Sequence, residues 1–214
     1  MNKSTLSKSV IERLPVYLHY IRSLHKDGTE TVSATAVAKA LKLGEVQVRK
    51  DLGAISGEGR PKIGYEVPAL IKRLESALGY GTTVHAAIIG AGRLGNALLE
   101  YEGFSEYGLD ILAGFDCDER KLKAPGPGKC VYPVSEFPKF CRENGVEIGI
   151  ITVPEGQAQE VCDLMVGSGI RAIWNFAPKR LNAPDNIFVK NENMASSLAI
   201  LSEHLKTQKN KIIS

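Results

Sequence analysis

The sequence predicts a two-part α/β protein: a winged helix-turn-helix domain over residues 1–80, a doubly wound parallel sheet over residues 81–192, and a terminal helix within 193–214. Three observations carry this. Two short helical stretches joined by a glycine-containing turn lie between Ser33 and Ile55, the pattern of a helix-turn-helix. From Val84 onward strand-like and helix-like segments alternate, as a parallel sheet covered by helices requires. The charge is uneven: residues 1–80 hold 13 Lys+Arg against 8 Asp+Glu, whereas residues 81–214 hold 14 against 16, so the whole net charge of +3 comes from a basic N-terminal part. A local excess of this size suits a phosphate-binding face or simple solubility, and motifs must decide between them.

In chain order, Val10, Ile11, Leu14, Tyr17, Leu18, Ile21 and Leu24 recur at three-to-four spacing and predict a first helix, ended by Lys26-Asp27-Gly28. Ser33 is placed as the N-cap of an alanine-rich helix to Leu41, closed by Gly44. A third helix runs Glu45 to Ile55, with Val46, Leu52 and Ile55 facing inward and Gln47, Arg49 and Lys50 outward. The glycine-rich stretch Ser56–Val67 reads as a wing, with Ile63, Tyr65 and Val67 at period two. Pro68 then precedes a helix over about Ala69–Leu78, and Gly79 and Gly81 mark the domain boundary.

In the second part strands are predicted at Val84–Ile89, Ile111–Phe115, Glu147–Val153, Ala172–Phe176 and Ile187–Val189, and helices at Arg93–Tyr101, Ser135–Asn144 and Gln157–Ser168. Ile148-Gly149-Ile150-Ile151-Thr152-Val153 is apolar throughout instead of alternating, as expected where both faces of a strand are covered. A last helix from Met194 to Lys209 carries Leu198, Leu201 and Leu205 on one stripe, packing within the chain or onto a partner.

Composition narrows the function classes. The chain has 214 residues, 43% hydrophobic and 24% charged, an ordinary globular balance. No run approaches the roughly 18 apolar residues of a membrane span, and the N-terminus lacks the apolar segment of a secretory signal, so a cytoplasmic protein without a membrane partner is expected. Cys117, Cys130, Cys141 and Cys162 show neither a C-x-x-C pair nor histidines at zinc spacing, and are expected to be reduced thiols with no metal site.

Gly90-Ala91-Gly92-Arg93-Leu94-Gly95 is a G-x-G-x-x-G directly after a predicted strand and opening a helix, which makes the sheet a Rossmann candidate. The first glycine permits a tight turn, the second admits a pyrophosphate to the backbone, and the third lets helix and strand pack closely. Asp116 lies 21 residues beyond Gly95, at the end of the second strand. A carboxylate there accepts from adenosine ribose hydroxyls and repels a 2′-phosphate, so NAD is favoured over NADP, with Arg120 and Lys121 as nearby cations. A glycine turn without a ligand, or one for coenzyme A, is the other reading. The four histidines have no obvious catalytic placement. An oxidoreductase would have to use Tyr101 or Lys179, and the chain has little left to build a substrate pocket. In the third helix, Gln can read adenine, Arg or Lys can read guanine, and either cation can meet phosphate; Arg60 and Lys62 add charge on the wing.

Taken together these residues resemble one family, the Rex redox-sensing transcriptional repressors. The resemblance rests on Arg13-Leu14-Pro15, Val48-Arg49-Lys50-Asp51-Leu52, Ile63-Gly64-Tyr65, Gly90–Gly95, Gly114-Phe115-Asp116, Thr152-Val153-Pro154 and Asn175-Phe176-Ala177-Pro178, in this order over nearly the whole chain. It implies a homodimer, with no enzymatic activity, that binds palindromic operator DNA when NADH is low and releases it when NADH accumulates. It also implies that the C-terminal helix is exchanged between protomers. The cofactor contacts it implies are the loop Gly90, Ala91, Gly92, Arg93, Leu94 and Gly95, then Asp116, Tyr101, Thr152, Val153, Pro154, Asn175, Phe176 and Ala177. For DNA they are Ser33, Gln47, Arg49, Lys50, Arg60, Lys62, Gly64 and Tyr65. Tyr101 would sense the nicotinamide, and Arg13 would join it and an acid in an interdomain switch. Three departures stand out: Pro61 and Lys62 replace arginine and glycine in the wing, Asn193 stands where the acid is expected, and Met194 where phenylalanine is usual.

Overall fold

The computed structural model describes residues 6–61, 63–123 and 128–213, with the side chains of Met194 and of residues 207–213 outside that description. The chain divides into two compact units, Met1–Thr82 and Thr83–Ser214.

The first unit contains α1 (Lys8–Lys26), β1 (Thr31–Val32), α2 (Ala34–Leu41), α3 (Glu45–Ser56), β2 (Tyr65–Glu66) and α4 (Val67–Leu78). Leu14, Tyr17, Leu18 and Ile21 of α1 meet Val37, Ala38, Val48, Leu52, Leu70 and Leu74 in one buried core. The Ser33 hydroxyl accepts from the Ala36 amide at 3.0 Å and caps α2. That helix closes on Lys42, which takes the left-handed conformation at φ 54°. Gly44 instead precedes α3 as its N-cap, so the predicted stop falls two residues late.

Two further expectations are corrected here. Val46 does not face inward but is 66% exposed, because Val48, Asp51 and Leu52 fix the rotation of α3. The wing is also shorter than its period-two pattern suggests. Among the described residues only Tyr65–Glu66 pairs, antiparallel to Thr31–Val32, and a single bridge joins Arg60 to Gly64. Ile63 is half exposed and Val67 is fully buried as the first residue of α4, where the next residue, Pro68, has its φ preset for the helical first turn. Gly64, at φ +88°, lies against β1 so closely that a Cβ would stand 2.4 Å from the Val32 carbonyl oxygen, and only glycine fits.

One polar cluster crosses this core. Asp51 of α3, 4% exposed, accepts from Arg13 Nε at 2.7 Å, Arg13 Nη2 at 2.9 Å and the Tyr17 hydroxyl at 2.8 Å. A buried carboxylate is tolerable when so many donors face it. Burial, reinforced by the adjacent Asp51, pushes the Tyr17 phenol up to about 12.

The second unit is a six-stranded parallel sheet in the order β5-β4-β3-β6-β7-β8. Its strands are β3 (Val84–Ile89), β4 (Leu109–Asp116), β5 (Val131–Pro133), β6 (Val146–Ile151), β7 (Ala172–Asn175) and β8 (Phe188–Asn191). The helices are α5 (Arg93–Leu99), α6 (Phe137–Asn144), α7 (Ala158–Gly167) and α8 (Met194–Ile213). Separate apolar clusters, around Phe115, Phe137 and Met165 and around Ile88, Ile111 and Ile150, cover its two faces. Strand β5 escapes the sequence reading because it is three residues long and ends in Pro133. The helix predicted to reach Tyr101 stops at Leu99, and Tyr101 instead precedes a 3-10 turn over Glu102–Tyr107. Leu198, Ile200, Leu201 and Leu205 of α8 are all more than half exposed. The strand order reverses between β3 and β6, and a crevice forms at the carboxyl ends of strands at such a reversal.

The raised Tyr17 pKa gives a signed expectation. Its contribution to stability is complete below its unfolded value of about 10 and is lost as pH rises through about 12. Tyr17→Phe is expected to cost about 1–2 kcal/mol at neutral pH through the lost hydrogen bond to a charged group. Its deficit against the native chain should vanish between pH 10 and 12, read by urea unfolding followed by circular dichroism.

Candidate nucleotide cleft and nucleic-acid interface

The crevice at the strand reversal is a cleft of about 1060 Å³, at the upper end of the size range of cofactor sites. Gly90, Gly92, Asp116, Thr152, Val153 and Pro154, all expected from the sequence, line it. The three motif glycines have three different physical reasons. A Cβ on Gly90, at φ +110°, would lie within 3 Å of Thr152 main-chain and side-chain atoms. A Cβ on Gly95 would stand 1.9 Å from the Gly90 carbonyl oxygen, so helix α5 packs onto the loop only through glycine. Gly92 would meet nothing within 4 Å. Its lack of a side chain serves no internal packing and leaves the backbone open to the cleft, as a pyrophosphate requires. Thr152 locks the turn, its hydroxyl donating to the Gly90 carbonyl at 2.7 Å.

Asp116 is 5% exposed. Its Oδ2 accepts from the Ala91 amide at 2.8 Å and Lys121 Nζ at 3.1 Å, and its Oδ1 from the Asp118 amide at 2.9 Å. Burial pushes this carboxyl up, but the Asp118 amide, Lys121 and the Ala91 amide together outweigh it and hold the pKa below the ordinary value. Asp116 is therefore ionised at neutral pH, and Oδ1 keeps acceptor capacity for a ribose hydroxyl. Beside it Asp118 is held at about 2 by the bidentate Arg120 guanidinium at 2.9 Å. Lys121, expected from the sequence as a cation near the ribose site, lines the cleft, as do Asp118, Gln157 and Glu160, which the sequence reading missed. For Asp118, its place two residues after a strand-end aspartate was the available signal. The site fits a dinucleotide: an open glycine, an ionised acceptor and apolar walls from Val134, Val161 and Leu164.

Other expected contacts lie elsewhere. Ala91 and Gly95 are buried in the loop's own packing, while Arg93 and Leu94 are exposed on the first turn of α5. Tyr101, 57% exposed, lines a second hollow of about 650 Å³ with Glu100, Glu102, Phe104 and Lys129. Its ring meets Phe104 edge-on at 4.9 Å, Phe104 meets Trp174 at 5.7 Å, and Trp174 meets Phe176 at 4.8 Å. Tyr101 and Phe176 are thus joined through two aromatics that the sequence reading did not single out. Asn175 is fully buried, donating to the Ala177 and Lys179 carbonyls and to Asn191 Oδ1, and accepting from the Ala177 amide. Its amide shapes the 175–179 turn, with Ala177 buried beneath it. Asn193 Oδ1 accepts from the Ser196 amide at 3.1 Å, the geometry of a cap on α8.

In the first unit, α2, α3 and the wing enclose a cleft of about 810 Å³ lined by Ser33, Arg49, Lys50, Arg60, Gly64 and Tyr65 among others. Arg49 pairs with Glu45 one turn earlier, and Arg60 with Glu66 at 3.0 Å. Gln47 stands on the flank of α3. With its amide turned so that the oxygen faces the Arg13 donors, as their chemistry requires, that oxygen accepts from Arg13 Nη1 at 3.0 Å and lies 2.9 Å from Nε, whose hydrogen is shared with Asp51. Lys62 lies outside the described residues, as does the side chain of Met194. Among the described residues there is no cluster of three metal-ligating side chains and no helix long and apolar enough to cross a membrane.

Comparison with known proteins agrees with this division. Residues 5–53 match the family described as "Putative DNA-binding protein N-terminus", and residues 82–179 match "CoA binding domain". A "Redox-sensing transcriptional repressor Rex" of Treponema denticola is 41% identical over 199 residues, covering 93% of this chain and 95% of that protein. The Rex of Porphyromonas gingivalis is 39% identical, covering 92% of this chain and 90% of that one. Among solved structures, RSP in complex with β-NAD+ and operator DNA superposes with a TM-score of 0.88 at 33% identity, over 95% of this chain and 94% of that chain. RSP with β-NADH gives 0.86 at 32% identity, over 99% of this chain and 100% of that chain. At this identity, sustained end to end in chains of matching length, the protein belongs to the Rex family of redox-sensing transcriptional repressors.

Proposed function

We propose that the chain is a homodimeric repressor that reads the NADH/NAD+ ratio, holding palindromic operator DNA when NADH is low and releasing it when NADH binds. The observation that carries this reading is RSP, a relative matched over its whole length and solved both with NAD+ and operator DNA and with NADH. Residues 1–80 bind the operator, 81–192 the cofactor, and 193–214 dimerise, the half-exposed leucines of α8 supplying the apolar contact between protomers. The recognition face is α3 with Gln47, Arg49 and Lys50, supported by Ser33, Arg60, Lys62, Gly64 and Tyr65. The open backbone at Gly92 and the ionised Asp116 support NADH and NAD+ as ligands and disfavour a 2′-phosphate. No catalytic role is assigned to Tyr101 or Lys179. Partner DNA and a pool of NADH support a cytoplasmic location.

Reduction removes the positive charge of the nicotinamide and adds a hydride. A pocket that distinguishes these forms, with Tyr101 reading the ring and Arg13 and Asn193 transmitting, shifts the spacing of two recognition helices that must fit successive major grooves. The coupling is reciprocal: operator weakens NADH binding by the factor by which NADH weakens operator binding. A hundredfold effect needs about 2.7 kcal/mol.

Fluorescence anisotropy on an operator recovered by in vitro selection tests this directly. NADH is expected to release the DNA and NAD+ to leave it bound; indifference to both would end the redox reading. Gly92→Val should fold normally, since its Cβ enters open space, bind operator, and ignore NADH in the same titration. Lys50→Ala is expected to weaken operator binding and to flatten the log–log salt dependence by about one unit, as one lost phosphate contact does.

A further inference from the structure

The first turn of α3 presents a branched aliphatic side chain to water. Val46 is 66% exposed, and positions 46, 49, 50 and 53 are spaced three and four apart, so they share one face of the helix. Arg49, Lys50 and Gly53 of that face line the cleft against the wing, while Val48, Asp51 and Leu52 are buried on the opposite side. A Cβ on Gly53 would meet nothing within 4 Å, so this face is also low and open two turns further along the helix. A solvated helix face is well served by the two cations. Valine there loses rotamer freedom in the helix and leaves apolar surface in water.

We propose that Val46 is a specificity-determining residue that packs against the 5-methyl group of a thymine in the operator's major groove. The inference rests on the DNA-binding reading above. Among the groups that base edges expose in the major groove, the thymine methyl is the apolar one, and every other distinguishing group is a hydrogen-bond donor or acceptor. The N-terminal residues of a recognition helix are those that reach base edges, and Val46 is the second residue of α3. Arg49 and Lys50 on the same face supply the charge complementarity that brings a duplex, rather than an apolar protein partner, onto it. Gln47, set to the flank with its oxygen on Arg13, does not compete for this position.

The test replaces each operator thymine in turn by deoxyuridine, which removes one methyl and leaves every hydrogen-bonding group. The native chain is expected to lose about fourfold in affinity at one symmetry-related thymine per half-site, the effect of one buried methyl. Val46→Ala should lose a similar factor on the thymine operator and be indifferent to deoxyuridine at that position, while circular dichroism and NADH binding stay unchanged. Equal affinity of the native chain for thymine and deoxyuridine at every position would overturn the proposal. So would a deoxyuridine penalty that persists undiminished in Val46→Ala, or a Val46→Ala chain that binds as tightly as the native one. Failure to select any operator would instead remove the DNA-binding reading on which the proposal stands.

Discussion

The buried carboxylate of Asp51 fixes what the N-terminal unit can do. A charge at 4% exposure is stable only with its donors in place, and Arg13 and Tyr17 of α1 supply three; removing one partner of such a pair costs about 3–5 kcal/mol. The ion pair therefore sets the rotation of α3 as firmly as the apolar contacts of Val48 and Leu52 do. That rotation decides the outward face: Val46, Arg49, Lys50 and Gly53 follow from it, and Gln47 is turned to the flank where Arg13 meets its oxygen.

In the second unit the controlling constraint is steric. Gly90, Gly95 and Thr152 meet at distances no side chain tolerates, and this contact draws the start of α5 onto the carboxyl ends of β3 and β6. Asp116 then reaches the Ala91 amide from β4, so three adjacent strands are tied at one point. The cleft is what remains open after this closure. Gly92 is the one glycine of the motif that the closure does not need, which is why a bulky side chain there is expected to affect the ligand and spare the fold.

Much of this was legible in the sequence, for identifiable reasons. The capping by Ser33, the continuous apolar run of β6 and the G-x-G-x-x-G in its strand–helix context are local signals whose physics does not depend on distant partners. Where the reading failed, distant partners decided. Val46 looks like a core residue until Asp51 is known to be buried and ion-paired with a residue 38 positions earlier. Val67 reads as a wing strand because its fit into the core between α1 and α4 is not encoded in its neighbours. Strand β5 exists because β4 offers it an edge.

The donors of Arg13 carry the argument one step further. A guanidinium has five N–H groups; Nε and Nη2 serve Asp51, and Nη1 serves Gln47. The burial of Asp51 makes its share costly to withdraw, more than the about 2.7 kcal/mol that a hundredfold coupling needs. The exposed amide of Gln47 gives up its share cheaply, since water replaces the lost bond. Nη1 and Nη2 each keep a second N–H, so a switch that recruits Arg13 has donors to offer and leaves the Asp51 pair intact. On the proposed reading, in which Arg13 transmits the nucleotide state and α3 meets the operator, a shift of the Arg13 guanidinium reaches Gln47 through a single hydrogen bond.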